Sequence, residues 1–248
     1  MTYSIVARDP VSGELGVAVA SRFFAVGSLV PHIRHNAAMA TQAFVNPMWG
    51  VEGIRRLSAG ESADSVMKDF VARDAGQAIR QAHMMDATGH SVAHTGSGCI
   101  DWAGHSMADG ISVAGNMLAG PEVVAHTLSC YLDNAQLPFA ERLLTAMQAG
   151  ESAGGDKRGR QAAGLRIHGG QDYPILDLRV DDHADPLAEL RRLYSVAQER
   201  AVHFAATFPT AENFSGITDR TELDRSIAER EAQWALDGTV SQSFATTL

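Results

Sequence analysis

Cysteine, aromatic residues and long apolar runs are all scarce in this chain, and each scarcity excludes something. Only Cys99 and Cys130 are present in 248 residues, with no CxxC pair, which leaves no disulfide framework or cysteine-based zinc site to argue for. Both are expected to be reduced thiols, with Cys130 packed in a helical stretch among Leu128, Tyr131 and Leu132. No apolar run reaches the ~20 residues of a membrane span. No basic start followed by an apolar run is seen, so a cytoplasmic location is expected. The net charge of -9 argues against nucleic acid and anionic membrane as partners. There is no internal repeat and no low-complexity block. What remains is an ordinary soluble balance, 45% hydrophobic and 20% charged, in a length that suits one large domain with an appendage.

The stretch around which the rest is organised comes first. Thr2-Tyr3-Ser4-Ile5-Val6-Ala7-Arg8-Asp9 alternates two faces as a strand does, with Tyr3, Ile5 and Ala7 on one side and Ser4, Val6 and Arg8 on the other. Thr2 is small, so Met1 is expected to be trimmed. Trimming would place a free α-amine and a hydroxyl on one residue. A model α-amine has a pKa of about 7.7–8.0, so near neutral pH a useful fraction can take the hydroxyl proton. Threonine is also stiff at χ1. Equally, Thr2 is a good strand residue behind an initiator Met, and the rest of the chain has to decide.

Asp9-Pro10-Val11-Ser12-Gly13-Glu14 reads as a hairpin turn. The second strand, Leu15 to Arg22, alternates branched residues with Gly and Ala. Such a hairpin returns Ser21 and Arg22 to the Thr2 end. A third strand is expected over Ala37 to Val45, then a turn at Asn46-Pro47-Met48-Trp49-Gly50. Helices are expected over 51–58 and 62–73, the second capped by Ser62 and the first stopped near Gly60. A hairpin follows, with Ile79 to Asp86 and Ser91 to Thr95 flanking Ala87-Thr88-Gly89-His90. Residues 111–118 form a strand of small residues. Pro121 and Pro138 open helices to about 134 and 149. Strands are expected over Ala162 to His168 and Ile175 to Val180, then a helix from Pro186, capped by Asp185, to about 206. Residues 207–248 are polar, with one helical stretch near 220–236. Strand groups separated by helix pairs suggest two antiparallel sheets packed face to face with helices outside.

Six blocks in order carry a family resemblance. They are Thr2-Tyr3-Ser4-Ile5-Val6-Ala7-Arg8-Asp9, Gly16-Val17-Ala18-Val19-Ala20-Ser21-Arg22-Phe23, Ala40-Thr41-Gln42-Ala43-Phe44-Val45-Asn46-Pro47, Gly115-Asn116-Met117-Leu118-Ala119-Gly120-Pro121, Ala153-Gly154-Gly155-Asp156-Lys157-Arg158-Gly159-Arg160-Gln161 and Leu176-Asp177-Leu178-Arg179-Val180-Asp181-Asp182-His183. Together they resemble the domain-of-unknown-function family numbered 1028, over about residues 1–195, leaving 196–248 as a helical or irregular C-terminal appendage. That family resembles the N-terminal-nucleophile hydrolases, which include proteasome β-subunits and several amidases. The resemblance implies an α+β fold, a four-layer αββα sandwich of two antiparallel sheets, with Thr2 as nucleophile after trimming. One departure matters. Proteasome-like members carry an Asp-x-Arg after the second strand and a Lys that reaches the nucleophile. Here the corresponding stretch is Ser21-Arg22, without the Asp, and no Lys occurs between Thr2 and Lys68. Base catalysis by the amine alone is what this leaves.

The other candidates follow from residue type and placement. Ser21 and Arg22 could meet the Thr2 amine or a substrate carboxylate, or form only an edge hydrogen bond and a surface ion pair. Gln42 and Asn46 lie near a strand-to-helix corner, where an oxyanion hole finds its donors, although Asn46 before Pro47 also suits a turn. Asn116 is an amide in an apolar strand and needs a partner, substrate or backbone. Asp156, Lys157, Arg158, Arg160 and Gln161 follow two glycines and suit an anionic group, or are a solvated basic loop. Asp181, Asp182, His183 and Asp185 lack zinc-ligand spacing and read better as a strand end and a helix cap.

The reading is an N-terminal-nucleophile amidohydrolase or peptidase. Thr2, Gln42, Asn46 and Asn116 form its catalytic set. Ser21, Arg22, Asp156, Lys157, Arg160 and Gln161 contact substrate. A small-molecule or short-peptide substrate and a homo-oligomer are the expected partners, and no metal or organic cofactor is required. Two alternatives stand beside it: a non-catalytic ligand-binding or scaffold protein on the same fold, and a metal-dependent hydrolase built on His183 and the neighbouring Asp residues.

Overall fold

A computed structural model describes residues 2–245. The elements run β1 (Thr2–Arg8), β2 (Leu15–Ser21), α1 (Val26–Leu29), β3 (Pro31–Ile33), β4 (Ala38–Ala43), α2 (Pro47–Ser58), α3 (Ala63–Arg73), β5 (Arg80–Met85), β6 (Ser91–Thr95), β7 (Gly104–Ala108), β8 (Ile111–Asn116), α4 (Glu122–Asp133), α5 (Phe139–Ser152), β9 (Ala162–His168), β10 (Leu176–Val180), α6 (Pro186–Ala197), α7 (Ala201–Ala205) and α8 (Thr221–Asp237). The fold is mixed α+β with two antiparallel sheets. One has six strands in the order β10-β9-β2-β1-β8-β7, the other four in the order β3-β4-β5-β6.

The first hairpin sets the register of the larger sheet. Asp9 N–H donates to the Glu14 carbonyl at 2.8 Å, and the Asp9 carboxylate accepts from Ser12 N–H at 2.8 Å. Gly13 takes the positive φ of 76° that such a turn requires. Tyr3 then pairs with Ala20, and on the other side of β1 Thr2 pairs with Asn116. The two-residue period sends Tyr3, Ile5 and Ala7 to one face and Thr2, Ser4 and Val6 to the other.

The Tyr3 face is covered by α4 and α5. Gly16 lets α5 approach, since a Cβ there would lie 2.6 Å from Leu143 Cδ1. Burial and the neighbouring Glu151 carboxylate push the Tyr3 phenol well above its usual pKa. The opposite face packs on the four-stranded sheet. Val6, Val17 and Val19 meet Ala38, Ala40 and Met85 there, with Val26 and Val30 from the α1 region. Beyond the smaller sheet, Met39, Ala82 and Met84 pack under Trp49, Leu57, Val66 and Phe70 of α2 and α3.

Several expectations shift. Helix α2 begins at Pro47 instead of 51, because Asn46 caps it by accepting Met48 N–H at 3.0 Å and proline suits the first turn. Ser62 caps α3 as expected, accepting Ser65 N–H at 3.3 Å. Strand β4 is shorter than 37–45, since Ala43 leaves extended geometry with φ 70°. Two strands lie outside these expectations, β3 and β7. The single helix expected over 186–206 is two. Its last turn tightens to a Glu199-to-Val196 bond, and Arg200 leaves helical geometry at φ −147°.

The chain divides into two compact units, Met1–Leu187 and Ala188–Leu248. In the second, Arg192 pairs with Glu189 at 2.7 Å, donates to the Gln242 carbonyl at 2.6 Å and lies over the Phe244 ring. Among the described residues no helix is long and apolar enough to cross a membrane.

Candidate active site

Thr2 is the first residue of a central strand, and its side chain enters the layer between the sheets. It is nearly buried, 6% exposed. Its hydroxyl donates to Ser21 Oγ at 3.1 Å across the hairpin. Its carbonyl accepts from Gln42 Nε2 and Asn116 Nδ2, each at 3.4 Å. Thr2, Ser21, Gln42 and Asn116 are therefore brought together, from β1, β2, β4 and β8.

The two amides hold Thr2 instead of standing ready for an oxyanion. Asn116 Nδ2 also donates to Gln81 Oε1 at 3.0 Å, and Gln42 Nε2 donates to the same oxygen at 2.9 Å and to the Ala114 carbonyl at 3.2 Å. An amide nitrogen has two hydrogens, and in both residues they are taken. Asn46 is not brought to this group. It caps α2 and donates to Asp74 Oδ2 at 3.0 Å, which lowers the Asp74 carboxyl to about 2, with Gly76 N–H and Arg80 contributing.

Behind Thr2 a polar chain crosses the layer between the sheets. Ser4 Oγ donates to Gln42 Oε1 at 2.7 Å and lies 2.8 Å from His83 Nε2, while His83 Nδ1 lies 2.9 Å from Ser112 Oγ. With the Ser4 proton given to Gln42, the consistent assignment has His83 donating from Nε2 and accepting at Nδ1. His83 is fully buried, and burial, with His105 nearby, lowers its pKa to about 3. Gln81 Nε2 extends the chain to the Gly115 carbonyl at 2.7 Å and to Thr95 Oγ1 at 2.9 Å. Ser4, Gln81, His83 and Ser112 were not among the sequence candidates. Their signal was present: Gln81 and His83 stand two apart in a strand otherwise ending in Ala82, Met84 and Met85.

The glycine loop braces the second strand. Asp156, 5% exposed, accepts Arg22 N–H at 2.8 Å and Arg158 N–H at 2.9 Å. The other loop side chains turn to neighbours. Lys157 Nζ donates to the Asp101 carbonyl at 2.6 Å, Arg160 pairs with Glu151 at 2.6 Å and Asp185 at 3.2 Å, and Gln161 Nε2 donates to Asp182 at 3.1 Å. The Arg22 guanidinium is exposed and donates to the Arg158 carbonyl at 2.8 Å. Asp156→Ala should lower stability by about 1–3 kcal/mol by leaving the Arg22 and Arg158 amides unpaired; urea unfolding reads this, and an unchanged midpoint would reduce the loop to decoration.

Two recesses flank Thr2. A small one of about 60 Å³ is lined by Thr2, Gln42, Phe23, Val26 and Leu29. A larger one of about 240 Å³ is lined by Asn116, Phe44, Ile79, Ile100 and Met117. Ala43 belongs to both. His183 lies elsewhere, its Nδ1 against the Asp185 main chain. Among the described residues no group of three or more His, Cys, Asp or Glu side chains could hold a metal.

Comparison with known proteins gives a family and a relative. The chain is similar to the solved structure of protein SPO2555 from Silicibacter pomeroyi, described as DUF1028, with 31% identity and a TM-score of 0.80 over 88% of this chain and 99% of that one. No curated protein matches it. The model of the family of unknown function DUF1028 matches residues 2–190, so this chain belongs to the DUF1028 family.

Proposed function

We propose that the protein is an N-terminal-nucleophile amide hydrolase, its two sheets and outer helix pairs forming the four-layer αββα sandwich of that class. The observation that carries the reading is the setting of Thr2. It starts a central strand, its hydroxyl lies 3.1 Å from Ser21 Oγ at the edge of a recess, and the side chains touching it are neutral. The step then balances as follows. The Thr2 α-amine takes the hydroxyl proton as Oγ attacks the amide carbonyl. The ammonium returns the proton to the leaving amine as the C–N bond breaks, leaving an ester on Oγ. Water, deprotonated by the same amine, attacks the ester, releases the acid and restores Thr2. Recesses of about 60 and 240 Å³ lie below the roughly 300–1,000 Å³ of drug-sized pockets, which favours a small amide or short peptide over a folded protein.

The reading requires loss of Met1, which lies outside the described residues. The test is the intact mass of the full chain expressed without an N-terminal tag, before and after a β-lactone acylating probe. Loss of Met1 and one adduct on wild type, absent from Thr2→Ala, is the expected result. Retained Met1, or labelling that survives the substitution, overturns it.

A further inference from the structure

We infer that the larger recess beside Thr2 is a specificity pocket for a neutral, apolar side chain of the substrate, of the size of a leucine or phenylalanine side chain. The inference deepens the hydrolase reading and rests on it for the word substrate, but the binding it describes can be measured without turnover.

Position comes first. Thr2 and Asn116 are directly paired across β1 and β8, so their side chains share a face and lie within contact range. Asn116 lines the recess, and Ala43 lines both it and the one that holds Thr2. A group bound there sits one residue away from the nucleophile.

Chemistry comes second. Phe44, Ile79, Ile100 and Met117 supply the walls, and none of the lining residues is charged. Phe44 is 70% and Ile100 58% exposed, large apolar groups that solvent alone does not explain when they converge on one hollow. A charged substituent would lose water there without gaining a partner.

Preorganisation comes third. The Phe44 ring lies under the Arg80 guanidinium at 5.4 Å, and Arg80 is fixed by Asp74 at 3.2 Å. Ala43 and Met117, both lining the recess, hold positive φ, 70° and 58°. Such conformations are unfavourable for non-glycine residues and persist where the surroundings impose them. Here the imposing bonds are Phe44 N–H to the Ile79 carbonyl at 3.2 Å and Met117 N–H to the Ile100 carbonyl at 2.7 Å.

Cys99 supplies the readout. It lines this recess, half-buried, whereas Cys130 lies in α4 with its thiol toward the Thr145 carbonyl. Alkylation of each thiol by iodoacetamide would be followed by peptide mass in the full-length protein, with N-acetyl-leucinamide, N-acetyl-phenylalaninamide, N-acetyl-aspartamide and N-acetyl-lysinamide as ligands. The apolar amides should slow Cys99 alkylation and leave Cys130 unchanged. The charged ones should need at least about tenfold higher concentration for the same protection. Ile100→Asp and, separately, Ile79→Asp should remove protection by the leucine amide; both positions are partly exposed, so folding is spared. Equal protection by all four amides, protection by none, or protection untouched by both variants would overturn the pocket. Because Thr2→Ala should bind the apolar amides as wild type does, loss of the acyl-enzyme result alone would sink the hydrolase and leave the pocket standing, and the reverse pattern would do the opposite.

Discussion

Thr2→Ala should lower hydrolysis of any amide or activated ester the protein accepts by a factor on the order of 10⁴ or more, while unfolding almost as wild type does. The size follows from the role. Without the hydroxyl there is no acyl-enzyme, and what remains is binding and orientation, so removal of a nucleophile is among the largest single losses an active site can suffer. The stability effect is small because the substitution removes one hydrogen bond, to Ser21 at 3.1 Å, and one methyl group, together about 1–2 kcal/mol. Alanine is also small enough at the second position for Met1 trimming to proceed, so the variant keeps the amine and loses only the hydroxyl. Thr2→Ser restores the nucleophile with a freer χ1 and should recover most of the rate. Wild-type kcat/KM should rise with pH as the amine loses its proton, because the base works only as the neutral amine. Steady-state rates of the three proteins across that rise are the measurement. A Thr2→Ala rate within tenfold of wild type would mean that another group carries the chemistry.

Part of this site was legible in the sequence, because one contact of Thr2 is set by a hairpin and another residue stands out by type in its strand. A hairpin with a six-residue turn fixes which residue of β2 returns to Thr2, and it returned Ser21. Asn116 could be noticed as an amide in a strand of small residues. What one chain cannot show is which strands of the two sheets face each other. Ser4 lies against Gln42 and His83 of the other sheet, through contacts 38 and 79 residues apart, so the polar chain behind Thr2 emerged only with the fold. The missed strands have a different cause. Pro31–Ile33 is three residues long and opens on proline, and Gly104–Ala108 alternates weakly apolar residues. Neither carries a pattern stronger than a loop. The break between α6 and α7 has neither glycine nor proline to mark it.

The polar chain also decides how the protein answers acid. His83 sits between Ser4 and Ser112 as a neutral ring, its pKa lowered to about 3 by burial. In the unfolded chain a histidine titrates near 6.5. The unfolded state therefore binds the proton first, and the native state is destabilised as pH falls from about 6.5 toward 3. The slope is about 1.4 kcal/mol per pH unit, and a displacement from 6.5 to about 3 amounts to roughly 5 kcal/mol at the lower end. His32, His105 and His168 are also lowered by burial and act in the same direction. His83→Gln isolates one member, since the other histidines and the carboxylates are common to both proteins. At pH 7 the variant should be less stable by about 1–3 kcal/mol, because Ser4 and Ser112 lose a well-placed partner. As pH falls to 5, wild type should lose about 2 kcal/mol that the variant keeps, so the two stability curves converge. Urea unfolding midpoints between pH 7 and 5 measure both slopes. Parallel curves would mean that the imidazole accepts its proton in the folded state as readily as in water, which a ring enclosed between two sheets and flanked by two hydroxyls should not do.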